Sequence, residues 1–175
     1  MSVLSVDRPD FMAEEDIRMF EDSVTKFFEQ HAPSERVDKW RREKVVERAM
    51  WTEAAEAGLL GLSTPEEYGG MGGDYRHEVI LMEQMGLQGV DGFGASLHNA
   101  IVMPYIVHYG TEEQKKRWLP KLATGELVGA IRLHEQQRRA LGAFRRIGLR
   151  HHADQVRRLS IGDERLRAVD DIAIA

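Results

Sequence analysis

The sequence predicts a mainly α-helical fold. Apolar residues recur at three- and four-residue spacings in several separate stretches, each backed by a charged face. An intact helix-start motif stands at Thr111-Glu112-Glu113-Gln114. The one segment that reads as strand, Leu127-Val128-Gly129-Ala130-Ile131, is short and follows the last helix.

The first helix is expected over residues 14–31. Ile17, Phe20, Val24, Phe27 and Phe28 make its apolar stripe, Glu21, Asp22, Lys26 and Glu29 its other side, and Pro33 its end. A second, shorter helix is expected over residues 45–57, with Met50, Trp51, Ala54 and Ala55 inward and Gly58 as its stop. The third starts after Asp74, a good N-cap, and is expected to bury Val79, Leu81 or Met82, and Met85 before Gly86. The fourth, over residues 93–108, is apolar nearly all round and is expected to lie deep, with a kink or broken hydrogen bond at Pro104. The fifth follows the Thr111 motif; Lys115, Lys116, Arg117 and Lys121 suit the negative end of its dipole, and Trp118, Leu119 and Leu122 its buried side.

Between the second and third helices, Gly69, Gly70, Gly72 and Gly73 fall within five residues. A tight loop rich in positive φ explains them. A phosphate loop fits less well, because neither a following Lys-Ser/Thr nor a preceding β-branched strand is present.

Composition removes several function classes. The 175 residues include no cysteine, which excludes disulfides, a thiolate nucleophile and thiolate metal ligation. No metal site is expected. The longest apolar run, residues 100–107, is eight residues and contains Pro104, far short of the ~20 a membrane span needs. The N-terminus shows no signal-peptide pattern, so a cytoplasmic protein is the expectation. Charge divides the chain. Residues 1–131 hold 14 basic and 23 acidic side chains, a net −9, whereas residues 132–175 hold 10 basic and 6 acidic ones, a net +4 with every cation an Arg.

The order of motifs in the body resembles the N-terminal helical domain of the acyl-CoA dehydrogenases. The resemblance rests on Ala57-Gly58-Leu59-Leu60-Gly61-Leu62, Pro65-Glu66-Glu67-Tyr68-Gly69-Gly70, Tyr109-Gly110-Thr111-Glu112-Glu113-Gln114-Lys115, Trp118-Leu119-Pro120 and residues 125–131. Residues 94–103 look most like the long-chain members. The resemblance implies an FAD enzyme of fatty acid β-oxidation that forms a trans-2,3 double bond in an acyl-CoA. A carboxylate takes the α-proton, hydride goes to the flavin, and an electron-transfer flavoprotein reoxidises it. It further implies an N-terminal helical domain (residues 1–126), the start of a β-domain (127–131) and a divergent Arg-rich tail (132–175), irregular or helical.

The family follows the Gly-Ala-Ile strand with Thr-Glu-Pro-x-x-Gly-Ser-Asp at the flavin, where this sequence reads Arg132-Leu133-His134-Glu135-Gln136-Gln137-Arg138-Arg139-Ala140. Ile131, Leu133 and His134 are the residual cofactor-binding candidates. No catalytic residue is assigned, since the family's catalytic Glu has no counterpart position, and the chain is expected to be inactive alone. In the family the fourth helix helps wall the acyl pocket. Gly92, Ser96 and Ala100 would share one face of it if the helix begins early enough, either leaving room for a long acyl chain or permitting close helix packing. His98 reads as a hydrogen-bonded core or rim residue in preference to a catalyst. Apolar surface that the family covers with other domains should be exposed, inviting self-association.

The tail carries Arg138-Arg139, Arg145-Arg146, Arg150 and Arg157-Arg158 at spacings near seven, with Leu141, Phe144, Ile147 and Leu149 as a partial stripe. It could fold back on the acidic body, bind phosphate on nucleic acid or CoA, or be out-of-frame or junction sequence. The last best accounts for the loss of Lys at the point where the motif breaks. Nucleic acid is disfavoured by the lack of a binding motif, and an interaction module built on the tail is the alternative to an enzyme domain.

Overall fold

Pro33 both ends one helix and starts the next. A computed structural model describes residues 9–131 and 172–174. In it a single 3-10 turn, Asp10–Met12, leads into α1, Glu15–His31, whose first turn carries Glu15 and Asp16 at the positive end of the dipole. Ile17, Val24, Phe27 and Phe28 are buried and Phe20 half-buried, so the expected stripe is the core face. Glu21 does not belong to the solvent side: its Oε1 accepts from Gln84 Nε2, across the contact with α4.

The chain then re-enters helix at once. The Pro33 carbonyl accepts from Arg36 and Val37 N–H, opening α2, Ser34–Glu43, which the sequence reading lacked. Only Val37 and Trp40 of α2 are buried, a stripe too short to show as periodicity. It ends on Lys44 at φ 57°, in the left-handed region glycine usually takes. Helix α3, Arg48–Glu56, buries Met50, Trp51 and Ala54 and stops before Gly58 at φ 70°. The Arg36 guanidinium ties these helices together. It donates to His31 O, Glu53 and Glu47, and holds both carboxyls below their usual range.

The glycine loop is a structural turn around a short 3-10 helix, Glu66–Tyr68. Gly69 and Gly72 take positive φ, and Gly70 presses on the Thr64 backbone. Met71 N–H and Gly73 N–H return to Gly61 O and Leu62 O, closing the loop on itself. Asp74 then caps α4, Tyr75–Leu87, in a capping box with His77. Of the residues expected inward, Leu81 is buried, Met82 and Met85 are half-buried and Val79 is exposed, while Glu78, Ile80 and Gln84 are also buried. Gly86 lies inside the helix and does not end it.

The fourth expected helix is a run of three pieces: α5, Ala95–Leu97, a π-helical segment, His98–Val102, and α6, Met103–Tyr109. It is not buried all round, because Ile101, Tyr105 and Tyr109 face solvent. Helix α7, Glu112–Ala123, opens on the Thr111–Gln114 capping box and buries Leu119 and Leu122. Strand β1, Gly129–Ile131, pairs antiparallel with β2, Ile172–Ile174, Gly129 opposite Ile174. β2 is the described part of the tail; the Arg pairs lie outside the described residues.

Two apolar clusters result. The larger joins α1–α4 with Leu59, Leu60, Leu62 and Phe93. The smaller holds Tyr68, Val102, Met103, Ile106, Leu119, Leu122 and Ala123. Among the described residues no helix is long and apolar enough to cross a membrane.

Candidate functional site

Pro104 sets up the centre of the molecule. It has no N–H to return to the preceding turn, and the helix ahead of it is widened: Met103 N–H donates to His98 O, five residues back. The kink expected at Pro104 therefore takes the form of a π turn. Two successive polar residues at its start, His98 and Asn99, are 0% and 1% exposed.

Each organises a different part of the chain. Asn99 Nδ2 donates to Leu59 O at 2.7 Å, and Asn99 Oδ1 accepts from Gly61 N–H at 3.0 Å. That fixes the loop between α3 and the glycine turn. Gly61 is required there: its φ is 68°, and a Cβ would come within 3.1 Å of Met103 Cε. His98 Nδ1 accepts from Gly129 N–H at 2.9 Å, and its Nε2–H donates to Leu122 O at 3.1 Å. The ring packs beside Trp51, centroids 5.4 Å apart. Burial pulls its pKa down to about 4, against the opposing hydrogen bond to Leu122.

Glu78 completes the buried polar set. Its Oε1 accepts from Ser63 N–H at 3.3 Å and Ser63 Oγ–H at 3.1 Å, while Oε2 has no hydrogen-bond partner. Burial raises its pKa, with the Ser63 bonds and the neighbouring Asn99 side chain opposing. The sequence reading passed over Glu78, although a Glu ahead of Val79-Ile80-Leu81-Met82 is a usable signal.

Chemically the His98 and Asn99 side chains are occupied. Both His98 nitrogens are committed to backbone groups, so a neutral, fixed tautomer has neither a spare lone pair nor a spare proton for acid–base work. His98 is thus the hydrogen-bonded core residue the sequence suggested. No cluster of three potential metal ligands occurs among the described residues.

The acyl-wall candidates are only partly brought together. Ser96 in α5 and Ala100 in the π segment are half-buried and lie on one continuous helical run. Gly92 precedes that run at φ 86°, exposed, so the helix does not start early enough to include it. Ile131 ends β1, and Leu133 and His134 lie outside the described residues. On the solvent side of the same run, Ile101, Tyr105 and Tyr109 expose apolar surface, the two tyrosine rings 4.9 Å apart.

Known proteins share this fold. The family model described as acyl-CoA dehydrogenase, N-terminal domain, matches residues 14–126. The mitochondrial long-chain specific acyl-CoA dehydrogenase of Sus scrofa is 40% identical over 125 residues, covering 71% of this chain and 28% of that protein. Isovaleryl-CoA dehydrogenase of Pongo abelii is 33% identical over 137 residues, covering 77% and 32%. Among solved structures, an acyl-CoA dehydrogenase from Geobacillus kaustophilus superposes with a TM-score of 0.65 at 36% identity, over 70% of this chain and 32% of that one. One from Bacillus anthracis, complexed with FAD, gives 0.61 at 30% identity, over 75% and 22%. This chain spans less than a third of the length of the long-chain relatives it matches. It belongs to the acyl-CoA dehydrogenase family, and its described helices are that family's N-terminal helical domain.

Proposed function

We propose that this chain supplies the N-terminal helical domain of a flavin-dependent acyl-CoA dehydrogenase acting on fatty acyl-CoA, and that alone it does not dehydrogenate. The observation that carries the reading is the 40% identity over 125 residues to a long-chain specific enzyme. Its domain division would be residues 1–126, 127–131 and 132–175. Ser96 and Ala100 would contribute small side chains to the acyl-chain wall, with Gly92 at its rim. The stripe of Ile101, Tyr105 and Tyr109 would meet further protein, including a second copy of this chain.

The flavin would need groups beyond those that the described residues leave without a partner. Their unpartnered buried side-chain polar atoms, Trp40 Nε1 and Glu78 Oε2, sit on α2 and α4, and neither belongs to β1. When bound, FAD would supply the hydride acceptor and an electron-transfer flavoprotein its reoxidation; this chain's share is to shape the wall and exclude water beside the acyl chain.

The test is a flavin titration of the purified chain with and without a long-chain acyl-CoA, followed by adding the remaining domains of a relative as a separate chain. No saturable flavin binding alone, and acyl-CoA-dependent flavin bleaching after complementation, is the expected result. Saturable binding and bleaching by the chain alone would overturn the inactivity. Failure of every complementing partner would overturn the proposed role in such an enzyme.

A further inference from the structure

Two side chains, Arg48 and His98, pin the backbone between the end of α7 and β1 with two hydrogen bonds each. Arg48, reaching from α3, donates to Gly125 O and Glu126 O. His98 Nε2–H donates to Leu122 O at the last turn of α7, and its Nδ1 receives the Gly129 N–H at the first residue of β1. Gly129 lies so close to the π segment that a Cβ there would meet Val102 Cγ1 at 2.6 Å. The imidazole thus bridges two backbone groups seven residues apart in the chain, from a ring that is wholly buried. Only one of its three protonation states fits: a bare Nδ1 facing an N–H and a protonated Nε2 facing a carbonyl.

We propose that His98 is a positioning residue that fixes where strand β1 leaves the helical domain. The contact is a latch: the α7 end sets the tautomer through Leu122 O, and the tautomer in turn presents a lone pair to Gly129. The destination of the strand, toward the flavin side of a complete enzyme, rests on the function proposed above. The latch itself is a property of this chain and stands apart from flavin binding.

Two substitutions separate its halves. His98→Asn places an amide oxygen near the Nδ1 position and keeps an acceptor for Gly129, but cannot reach Leu122. His98→Gln places an amide N–H near the Nε2 position and keeps a donor for Leu122, but offers Gly129 no acceptor. Amide hydrogen exchange of the 175-residue chain, resolved by NMR, is the readout. In His98→Gln the Gly129 amide should exchange about tenfold faster than in the wild type, relative to the α7 amides of Leu119 and Ala123. In His98→Asn the Gly129 ratio should stay within about threefold. Equal loss at Gly129 in both variants, or no loss in either, would overturn the latch. Should both variants unfold, long-range nitrogen–proton correlations on the wild-type ring at neutral pH decide it: Nε2–H supports the latch, and Nδ1–H or a doubly protonated ring refutes it. A failed flavin titration would defeat the functional reading and leave these exchange ratios untouched.

Discussion

Asn99 is the residue whose removal should hurt the helical domain most for its size. Asn99→Ala strips the partner from two groups at once, the Leu59 carbonyl and the Gly61 N–H, in a region where Leu59, Leu60 and Asn99 itself are almost wholly covered. A buried backbone group left unpaired costs about 1–3 kcal/mol, so the pair sums to about 2–6 kcal/mol. A domain of this size has a total stability of about 5–15 kcal/mol. Urea denaturation followed by tryptophan fluorescence is the assay, since the Trp51 ring lies 5.4 Å from the His98 ring at the same junction. With a urea slope of about 2 kcal/mol per molar, the midpoint should fall by roughly 1–3 M. Asn99→Asp gives a second reading. It keeps an acceptor for Gly61 but turns an oxygen on Leu59 O and adds charge beside buried Glu78, so it should fall at least as far as the alanine variant at neutral pH. A midpoint within about 0.3 M of wild type for Asn99→Ala would mean that water or local relaxation satisfies both groups, and the account of the junction would be wrong.

Acid should weaken the fold through His98. Its folded-state pKa of about 4 lies below the unfolded value, so the unfolded chain takes the proton first and stability is lost as pH falls from about 6.5 toward 4. Between pH 7 and 5 this amounts to about 2 kcal/mol. Glu78 works in the opposite sense, its raised pKa adding stability as pH falls, so the His98 share is read as the difference in slope between wild type and His98→Gln. Identical slopes would remove the buried neutral imidazole from the picture. Gly70→Ala should destabilise by about 2–3 kcal/mol in urea denaturation, because its Cβ would sit 2.5 Å from Thr64 Cβ and 2.6 Å from the Thr64 carbonyl carbon; Gly86→Ala, with nothing within 4 Å inside α4, should instead stabilise by about 0.5–1 kcal/mol in the same assay. Lys44→Gly should raise the melting midpoint slightly, by about 0.5–1 kcal/mol of stability, since Lys44 is exposed and holds φ 57°.

What was legible in the sequence was what local chemistry decides. The capping box at Thr111, the cap at Asp74 and the α1 stripe each lie within a few residues of one another in the chain, and all three are in place. Helix α2 escaped because two buried residues three apart make no periodic signal, and its start depends on Pro33. Pro104 announced a disturbance but not its form, since a π turn in place of a simple kink depends on what the widened segment then contacts. The polar junction was the least legible part. Asn99 reaches Leu59 and Gly61 about 40 residues away, and His98 reaches Gly129 about 30 residues away, so no local window contains both partners. Ser96 and Ala100 share one helical run, whereas the early start that would have added Gly92 was defeated by the left-handed backbone at Gly92 itself.

The docking of α1 on α4 also sets an order of assembly. A segment of about 40 residues separates His31 from Tyr75, and closing it carries an entropy of about 3 kcal/mol before any contact between the helices forms. Helices α6 and α7 are separated only by Gly110 and Thr111, so their pairing closes almost no loop. The smaller apolar cluster, built mostly from these two helices, can therefore form early as a local hairpin. The larger one must wait until α2, α3 and the glycine turn have brought the chain around. Substitutions in the α6–α7 pair should then slow refolding, whereas those in the α1–α4 contact should chiefly speed unfolding.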